Sequence, residues 1–337
     1  MITTLTLTAL ATLAPAAPAD APIRLITEHG VELRADEQVF VLFAALNAAG
    51  YSEESNRKGP PLRAPVFHEI RVDVRDELRK AKDVPSMAQV RKLFESNPGE
   101  IEDYLAAVLG RDDKAKLSKA AQALLPKVIP VLDAFRDEAK LTALFDKVAE
   151  EQRDHAKALK ALVEKDFVEA RKITGDANLR GPKSLVVVPN PLDGHAMVRA
   201  VDIGDTRYLV VGPGSESARS AILAAALRPT MLQLAKQAYP RAKGFKRSWD
   251  GLKTSRRITS RYPDGADYLA EALTVALAQR VSQAGKADTR EADEDFIDEQ
   301  ARQGMRWARA ALKILEKHDG KTSLAEELPK LVDKISP

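Results

Sequence analysis

The sequence predicts an α+β protein that is mostly α-helical. Apolar residues recur with helical periodicity from about residue 35 to 174 and again after residue 215, whereas strand-like runs are confined to residues 183–214. Hydrophobic residues make up 45% of the chain but aromatic ones only 5%, so alanine, leucine and valine supply most of the apolar content. That composition favours helices with thin cores.

The first residues have the outline of a cleavable export signal. The stretch MITTLTLTALATLAPAAPADAP carries no charge before Asp20, is apolar to small over Leu5–Leu13, and has A-x-A spacings at Ala14–Ala16 and Ala17–Ala19. No lysine or arginine precedes the apolar stretch, and a disordered alanine- and proline-rich leader is the alternative. We predict a signal peptide over residues 1–19 and an exported protein, periplasmic or extracellular. If the segment is not a signal, the protein is cytoplasmic.

Composition excludes several classes of site. There are no cysteines, which rules out disulfides, thiolate zinc sites and cysteine nucleophiles. The formal charge of 52 − 49 = +3 is too small to indicate nucleic-acid binding by itself. No stretch after the leader approaches the roughly 18–20 apolar residues of a membrane span. We therefore expect no membrane span and no nucleic-acid partner.

Residues 23–178 are predicted to form a helical N-terminal region. The stretch DEQVFVLFAALNAAG (36–50) begins with an acidic cap, ends on glycine and is apolar nearly all round, which predicts a buried helix. Another helix is predicted over Leu117–Phe135, where two prolines should interrupt or kink it. Residues Lys140–Ile173 form one long amphipathic run.

Residues 179–337 are predicted to form a second domain that contains the strands. Leu185–Val188 is a fully apolar run, and Met197–Asp202 and Tyr208–Val211 flank a Gly204-Asp205 turn that predicts a hairpin. Four helices are expected to follow, over Ser215–Ala238, Ala266–Gln283, Glu291–Lys317 and Ser323–Lys334.

Histidines offer two places to look for chemistry. His68 is followed by Glu69, but Val72 stands where a second zinc-binding histidine would be needed, so an ordinary helix histidine is favoured. The string NPLDGH (190–195) places His195 in a turn after a buried strand. Turn chemistry alone explains the Asn and Asp of that string, and His195 is retained as a candidate binding residue.

A basic segment spans residues 241–261. It holds eight basic side chains against one acid, and Phe245, Trp249 and Tyr262 interleave with them or follow them. Basic residues mixed with aromatic ones are typical of polyanion-binding segments. A solvated basic loop is the alternative interpretation.

Glu271 is a further candidate. In DYLAEALTVALAQRV (267–281) it lies two residues from Leu269 and from Leu273, at the edge of a predicted buried face. A surface glutamate is the alternative.

Several strings, in their order, resemble a known family. VVVPNPLDGH in a buried strand, DTRYLVVGPG in a hairpin strand, a long helix and a later helix with EALTVALAQR are similar to bacterial secreted zinc metallopeptidases of the gluzincin (zincin-like) type. The string VFVLFAALNAAGY (39–51) resembles the family's N-terminal helical region. The resemblance covers most of residues 35–285, and its diagnostic part is 183–281.

The resemblance implies that the metal-binding motif has been lost. In the family the helix after the hairpin resembles H-E-x-L-H-P, with two histidine ligands, a glutamate base and a third ligand from a downstream glutamate. Here the corresponding string is AAALRP (224–229). Ala224 and Arg228 stand where the histidines would be, Ala225 where the base would be, and Glu271 where the third ligand would be. We expect no metal and no cofactor, and an ion pair between Arg228 and Glu271 in place of the zinc.

Three functions follow as hypotheses. The first is a catalytically inactive zincin-like protein, a pseudo-peptidase whose remaining cleft binds a peptide or a protein. By the resemblance, an edge strand would receive extended peptide through strand addition, and Tyr208–Val211, with Tyr208 and Val210, is the expected edge. The second is a binding or structural module that contacts acidic envelope polymers through residues 241–261. The third is a hydrolase with non-standard ligands such as His195 and Glu271.

Overall fold

The computed structural model describes residues 23–27, 30–50, 76–97, 99–176 and 184–337. The predicted signal peptide (1–19) and the His68-Glu69 pair lie outside the described residues. The predicted fold class is confirmed, because long helices account for most of the described chain and the strands form one small sheet. None of the described helices is long and apolar enough to cross a lipid bilayer.

In the part of the chain that the structure describes, five strands form one mixed sheet, in the order β1-β2-β3-β5-β4. β2, β3 and β5 run parallel to one another, and β1 and β4 are antiparallel strands at the two edges. The strand predicted at Leu185–Val188 and the hairpin around Gly204 are confirmed, and Gly204 has the positive φ of 59° that such a turn requires. β1 and β2 were not predicted, because three or four residues are too few for a clear alternating pattern. The strands are β1 Arg24–Ile26, β2 Val31–Arg34, β3 Ser184–Pro189, β4 Val198–Ile203 and β5 Thr206–Val211.

The expectation that Tyr208–Val211 forms a sheet edge is wrong. This segment belongs to β5, which pairs with β3 on one side and with β4 on the other. Backbone groups of Tyr208 and Val210 are therefore not available for strand addition. The edge on this side of the sheet is β4, because β4 pairs with the side of β5 that faces away from β3.

One face of the sheet is covered by the first group of helices. Asp36 caps the first of them through hydrogen bonds from the backbone N–H groups of Gln38 and Val39 to its carboxylate, at 3.1 and 3.2 Å. The helix predicted to be interrupted or kinked by proline is continuous, with Pro126 and Pro130 both inside it. The helices are α1 Glu37–Ala48, α2 Met87–Ser96, α3 Ile101–Leu109, α4 Lys119–Glu138 and α5 Leu141–Lys147.

The other face of the sheet is covered by the second group. Two runs predicted as single helices are divided: Lys140–Ile173 breaks at Val148, and Glu291–Lys317 breaks at Gly304, whose φ is 96°. The helix bounds are α6 Ala149–Thr174, α7 Ser215–Ala238, α8 Lys243–Leu252, α9 Arg256–Thr259, α10 Gly265–Gln283, α11 Arg290–Gln303, α12 Ala308–Lys317 and α13 Leu324–Lys334.

Alternation along β3 places its side chains in two hydrophobic cores. Val186 and Val188 pack with the first group of helices, whereas Leu185 and Val187 pack with the second. A continuous apolar run is what a strand buried on both faces requires. Helix α6 precedes the boundary predicted near residue 178, yet its apolar residues belong to the same core as α7 and α10. Residues on both sides of 178 thus share one core. The domain boundary near residue 178 stays a prediction, namely that the two regions fold independently.

Candidate functional site

Helix α7, which contains the string AAALRP (224–229), lies at the centre of the second group of helices. It follows β5 through a short glycine-containing turn, and it packs along α10 and against β4 and β5. Ala226 and Leu227 are fully buried in its middle, while Ala224 and Ala225 are half-buried. Small side chains here allow the helix to lie close to its neighbours. They supply no metal-binding or proton-transferring group.

Pro229 creates a vacancy in the backbone hydrogen bonding of α7, and Arg207 fills it. Proline has no N–H, so the carbonyl of Ala225, four residues earlier, loses its helical donor. Nη1 of Arg207 donates to that carbonyl at 2.6 Å. The same guanidinium is held by Asp202, to which Nε and Nη2 donate at 2.7 and 2.6 Å. A side chain of β5 thereby ties the edge strand β4 to the motif region of α7.

Arg228 and Glu271 form an ion pair between α7 and α10. Nη1 of Arg228 donates to Oε2 of Glu271. The side chains are 32% and 24% exposed, so the pair lies at the mouth of the helix interface. The ion pair expected from the sequence is thus present, and Glu271 lies at the edge of a buried face.

Two more polar side chains belong to this cluster. Burial raises the pKa of the Tyr262 phenol, and the nearby charges of Glu271 and Arg228 act on it in opposite directions. Asp267 lies one helical turn before Glu271. Burial raises the pKa of its carboxyl, the neighbouring Asp264 raises it further, and the positive charges of Lys236 and then Arg228 lower it. The helical spacing of Asp267 and Glu271 was the one sequence signal that could have added Asp267 to the site.

The cluster does not fit a zinc ion. A catalytic zinc needs three protein ligands and an open position, and here Ala224 and Ala225 have no donor atom. The remaining carboxylate of Glu271 is bound by Arg228, whose positive charge disfavours a cation. No reaction step can be assigned to a metal at this place.

His195 is far from this cluster. Its ring packs on Gly214, the N-cap of α7, so closely that a Cβ at Gly214 would collide with it. From Gly214 to Arg228 the helix rises by roughly 20 Å at 1.5 Å per residue. His195 and Glu271 therefore do not share one site, and the hydrolase that would use both is not supported.

The polar residues near His195 have structural roles. Asp193 and Arg199 form a buried bidentate pair, with Nε and Nη2 of Arg199 donating at 2.8 and 3.0 Å. The side chain of Asn190 accepts a hydrogen bond from the backbone N–H of Leu192 at 3.2 Å. The turn chemistry proposed for this string accounts for the Asn190 contact, whereas the Asp193–Arg199 pair ties the turn to β4.

The basic segment 241–261 is helical, so its description as a loop is wrong. It contains α8 and α9, and all eight of its basic side chains are exposed. None of the three aromatic side chains is exposed. Phe245 is fully buried, and the rings of Trp249 and Tyr262 pack on Tyr268, with centroids 5.7 and 5.1 Å apart.

A separate cluster lies where α12 gives way to α13. Nδ1 of His318 is 2.6 Å from Oε2 of Glu327, and this contact holds the pKa of Glu327 below its usual range. Within the described ranges, these two residues and Asp319 are the one group close enough to share a metal ion. The His318–Glu327 contact is explained as a clasp between two helices.

Comparison with known proteins adds no family or relative. No protein-family model, no curated protein and no solved structure matches the chain.

Proposed function

We propose that this protein is a catalytically inactive, peptidase-like protein that binds an extended peptide along the outer edge of β4. The observation that carries the proposal is the arrangement of that edge beside the motif region of α7. The zincin-like resemblance of residues 183–281 supports it, as does the Arg228–Glu271 pair in the place of a metal. The partner would be a peptide or an unfolded segment of another protein.

The backbone of β4 is suited to strand addition. The N–H of Gly212 donates to the carbonyl of Met197 at 2.9 Å, and the antiparallel register continues from there along β4 and β5. In such a ladder every second residue directs its N–H and C=O outward. Those residues are Val198, Ala200 and Asp202, and the described chain places no strand beyond them.

The floor beside this edge is made by small side chains. Val198 and Ala200 are half-buried against the same core as Ala224 and Ala225. Arg207 binds both the carboxylate of Asp202 and the carbonyl of Ala225, and it thereby holds the edge strand β4 against helix α7. An extended peptide added to β4 would therefore run past the degenerate motif, and its recognition would use backbone groups and not metal.

The first experiment tests the edge directly. An immobilised array of extended dodecapeptides identifies a binder, whose affinity is then measured for Ala200→Pro and for the matched control Ala200→Val. Proline removes one outward N–H without touching the bonds to β5, so we expect about tenfold weaker binding, which corresponds to about 1.4 kcal/mol or roughly one net hydrogen bond. The control should bind within about twofold of the original protein. Equal affinity of both variants would overturn the proposal, as would amide-exchange protection of the bound protein away from β4.

The second experiment tests the placement of the lost motif. The triple variant Ala224→His, Ala225→Glu, Arg228→His should bind zinc together with Glu271, because positions 224 and 228 project from one helix face. Zinc should then raise its melting temperature, since a ligand that binds only the folded state stabilises it. Activity is not required, as groups that orient the histidines can also be missing.

Glu271→Gln in the triple background is the control and should abolish the stoichiometric zinc binding. A triple variant that folds but has no zinc affinity would show that Glu271 is not placed as a third ligand. Stoichiometric, sub-micromolar zinc binding by the unmodified protein at this site would also contradict the proposal.

A further inference from the structure

We infer that the outer surface of α8 and α9 binds a linear polyanion and recognises it through its charged groups alone. We call this surface the basic face. It consists of the six cationic residues of segment 241–261 whose side chains make neither an ion pair nor a hydrogen bond among the described residues: Arg241, Lys243, Arg247, Arg256, Arg257 and Arg261. The inference does not depend on peptide binding at β4.

The charge of the basic face is not neutralised locally. Of the eight basic side chains, Lys253 pairs with Asp250 at 2.7 Å and Lys246 donates to the carbonyl of Pro240 at 2.7 Å. The other six are exposed, and their summed charge is twice the net charge of +3 carried by the whole chain. Adjacent like charges repel, and a bound anion relieves that repulsion.

Packing holds these side chains outward. Phe245, Leu252 and Ile258 are buried on the inner side of α8 and α9. Gly244 lies so close to Ser336, near the end of the chain, that a Cβ there would collide with it. Lys243 and Arg247 are one helical turn apart and share a face of α8. Four of the six cations, Lys243, Arg247, Arg256 and Arg257, thus lie on helices, and Arg241 and Arg261 lie in the short turns that flank them.

The surroundings of the basic face select the kind of anion. Binding of single-stranded nucleic acid relies on exposed aromatic rings that stack on bases, but Phe245 is buried and Trp249 and Tyr262 pack on Tyr268. Insertion into lipid relies on exposed apolar side chains. The large exposed hydrophobic residues of the described chain are Ile26 and Val168, both outside this segment. The basic face therefore offers a ligand contact with charged groups, and not with exposed aromatic or large apolar side chains.

Five of the six cations are arginines, whose planar guanidinium binds phosphate or carboxylate through two parallel hydrogen bonds. The expected ligand is therefore a linear polymer with closely spaced phosphate or carboxylate groups. Two probes distinguish these sources: long-chain inorganic polyphosphate and polygalacturonate.

The test measures affinity for both probes across a range of NaCl concentrations. The variant Arg247→Gln/Arg256→Gln/Arg257→Gln is compared with a control that removes three exposed cations elsewhere, Arg91→Gln/Lys92→Gln/Lys119→Gln. We expect the protein to bind at least one polymer with an affinity that falls steeply with salt. The basic-face variant should bind at least about tenfold more weakly with a salt slope shallower by about 2 to 3, one for each lost contact. The control should stay within about twofold, and circular dichroism should show that both variants fold.

Three results would overturn the inference. One is the absence of binding to either polymer at low salt, and another is an equal loss of affinity in the control. The third is tighter binding to a 20-nucleotide single-stranded DNA, or to vesicles of anionic phosphatidylglycerol, than to polyphosphate of equal charge. That result would require base or lipid contacts that the basic face does not provide.

Discussion

If Arg207 supplies the hydrogen bond that Pro229 cannot, then substitutions at the two positions must be coupled. Replacing Arg207 by methionine leaves the Ala225 carbonyl without its 2.6 Å donor and frees Asp202. A hydrogen bond from a charged donor contributes about 1.5–3 kcal/mol, and the exposed partner Asp202 adds less than about 1 kcal/mol. We expect Arg207→Met to lower the free energy of unfolding by about 2–4 kcal/mol.

Pro229→Ala restores the missing N–H. In the unmodified protein the gain should be small, because the carbonyl already has a donor and alanine gives the unfolded chain more freedom. In the Arg207→Met background the new N–H satisfies an otherwise unpaired carbonyl. Pro229→Ala should therefore stabilise that background by about 1–2 kcal/mol more than it stabilises the unmodified protein.

Urea denaturation of the four proteins, followed by circular dichroism, measures this coupling. A second cycle that combines Arg207→Met with Pro126→Ala is the control, because Pro126 lies in α4 on the other side of the sheet. Its effects should add within about 0.5 kcal/mol. The reasoning is refuted if the Arg207–Pro229 cycle is equally additive.

Three further predictions concern ionisation, export and domain structure. Burial, aided by the negative charges of Asp264 and Asp250, raises the pKa of Tyr239 to about 12 from its ordinary value of 10. The folded protein therefore keeps a phenol proton that the unfolded chain releases near pH 10. Because of this difference, the free energy of unfolding should fall as the pH rises from 10 towards 12. Phenolate absorbance and urea denaturation should show that Tyr239→Phe removes one of the phenols that titrate above their ordinary pKa and removes part of that pH dependence, whereas unchanged profiles would contradict the assignment. N-terminal sequencing of protein from its native host should begin near residues 16–19, and an intact Met1 in a cytoplasmic fraction would reject the export signal. Limited proteolysis should cut first in residues 175–183 or in segment 51–63 and not in the helical segment 241–261, and a first cut inside 141–170 would contradict the helical assignment of that region.

Much of the local structure could be predicted from residues close in sequence. The cap of α1 follows from Asp36, whose carboxylate reaches N–H groups two and three residues ahead. The bounds of α7 agree with its predicted range, and the β4–β5 hairpin follows from the Gly204 turn. These features depend on contacts within a few residues. The breaks between helices near Val148 and Gly304 could not be predicted, because the helical periodicity of apolar residues continues across them.

The sequence by itself determined that positions 224 and 225 of helix α7 carry no metal-binding side chain, since alanine has no side-chain donor atom in any fold. Only the tertiary structure decided which strand is the edge, because β5 gains a partner on each side when β3, distant in the chain, pairs with it. It also decided that Arg207 completes the backbone of α7 and that Trp249 is packed away from the basic face. Each of these outcomes depends on which surfaces meet when distant segments bury their apolar sides, and no local pattern encodes that choice.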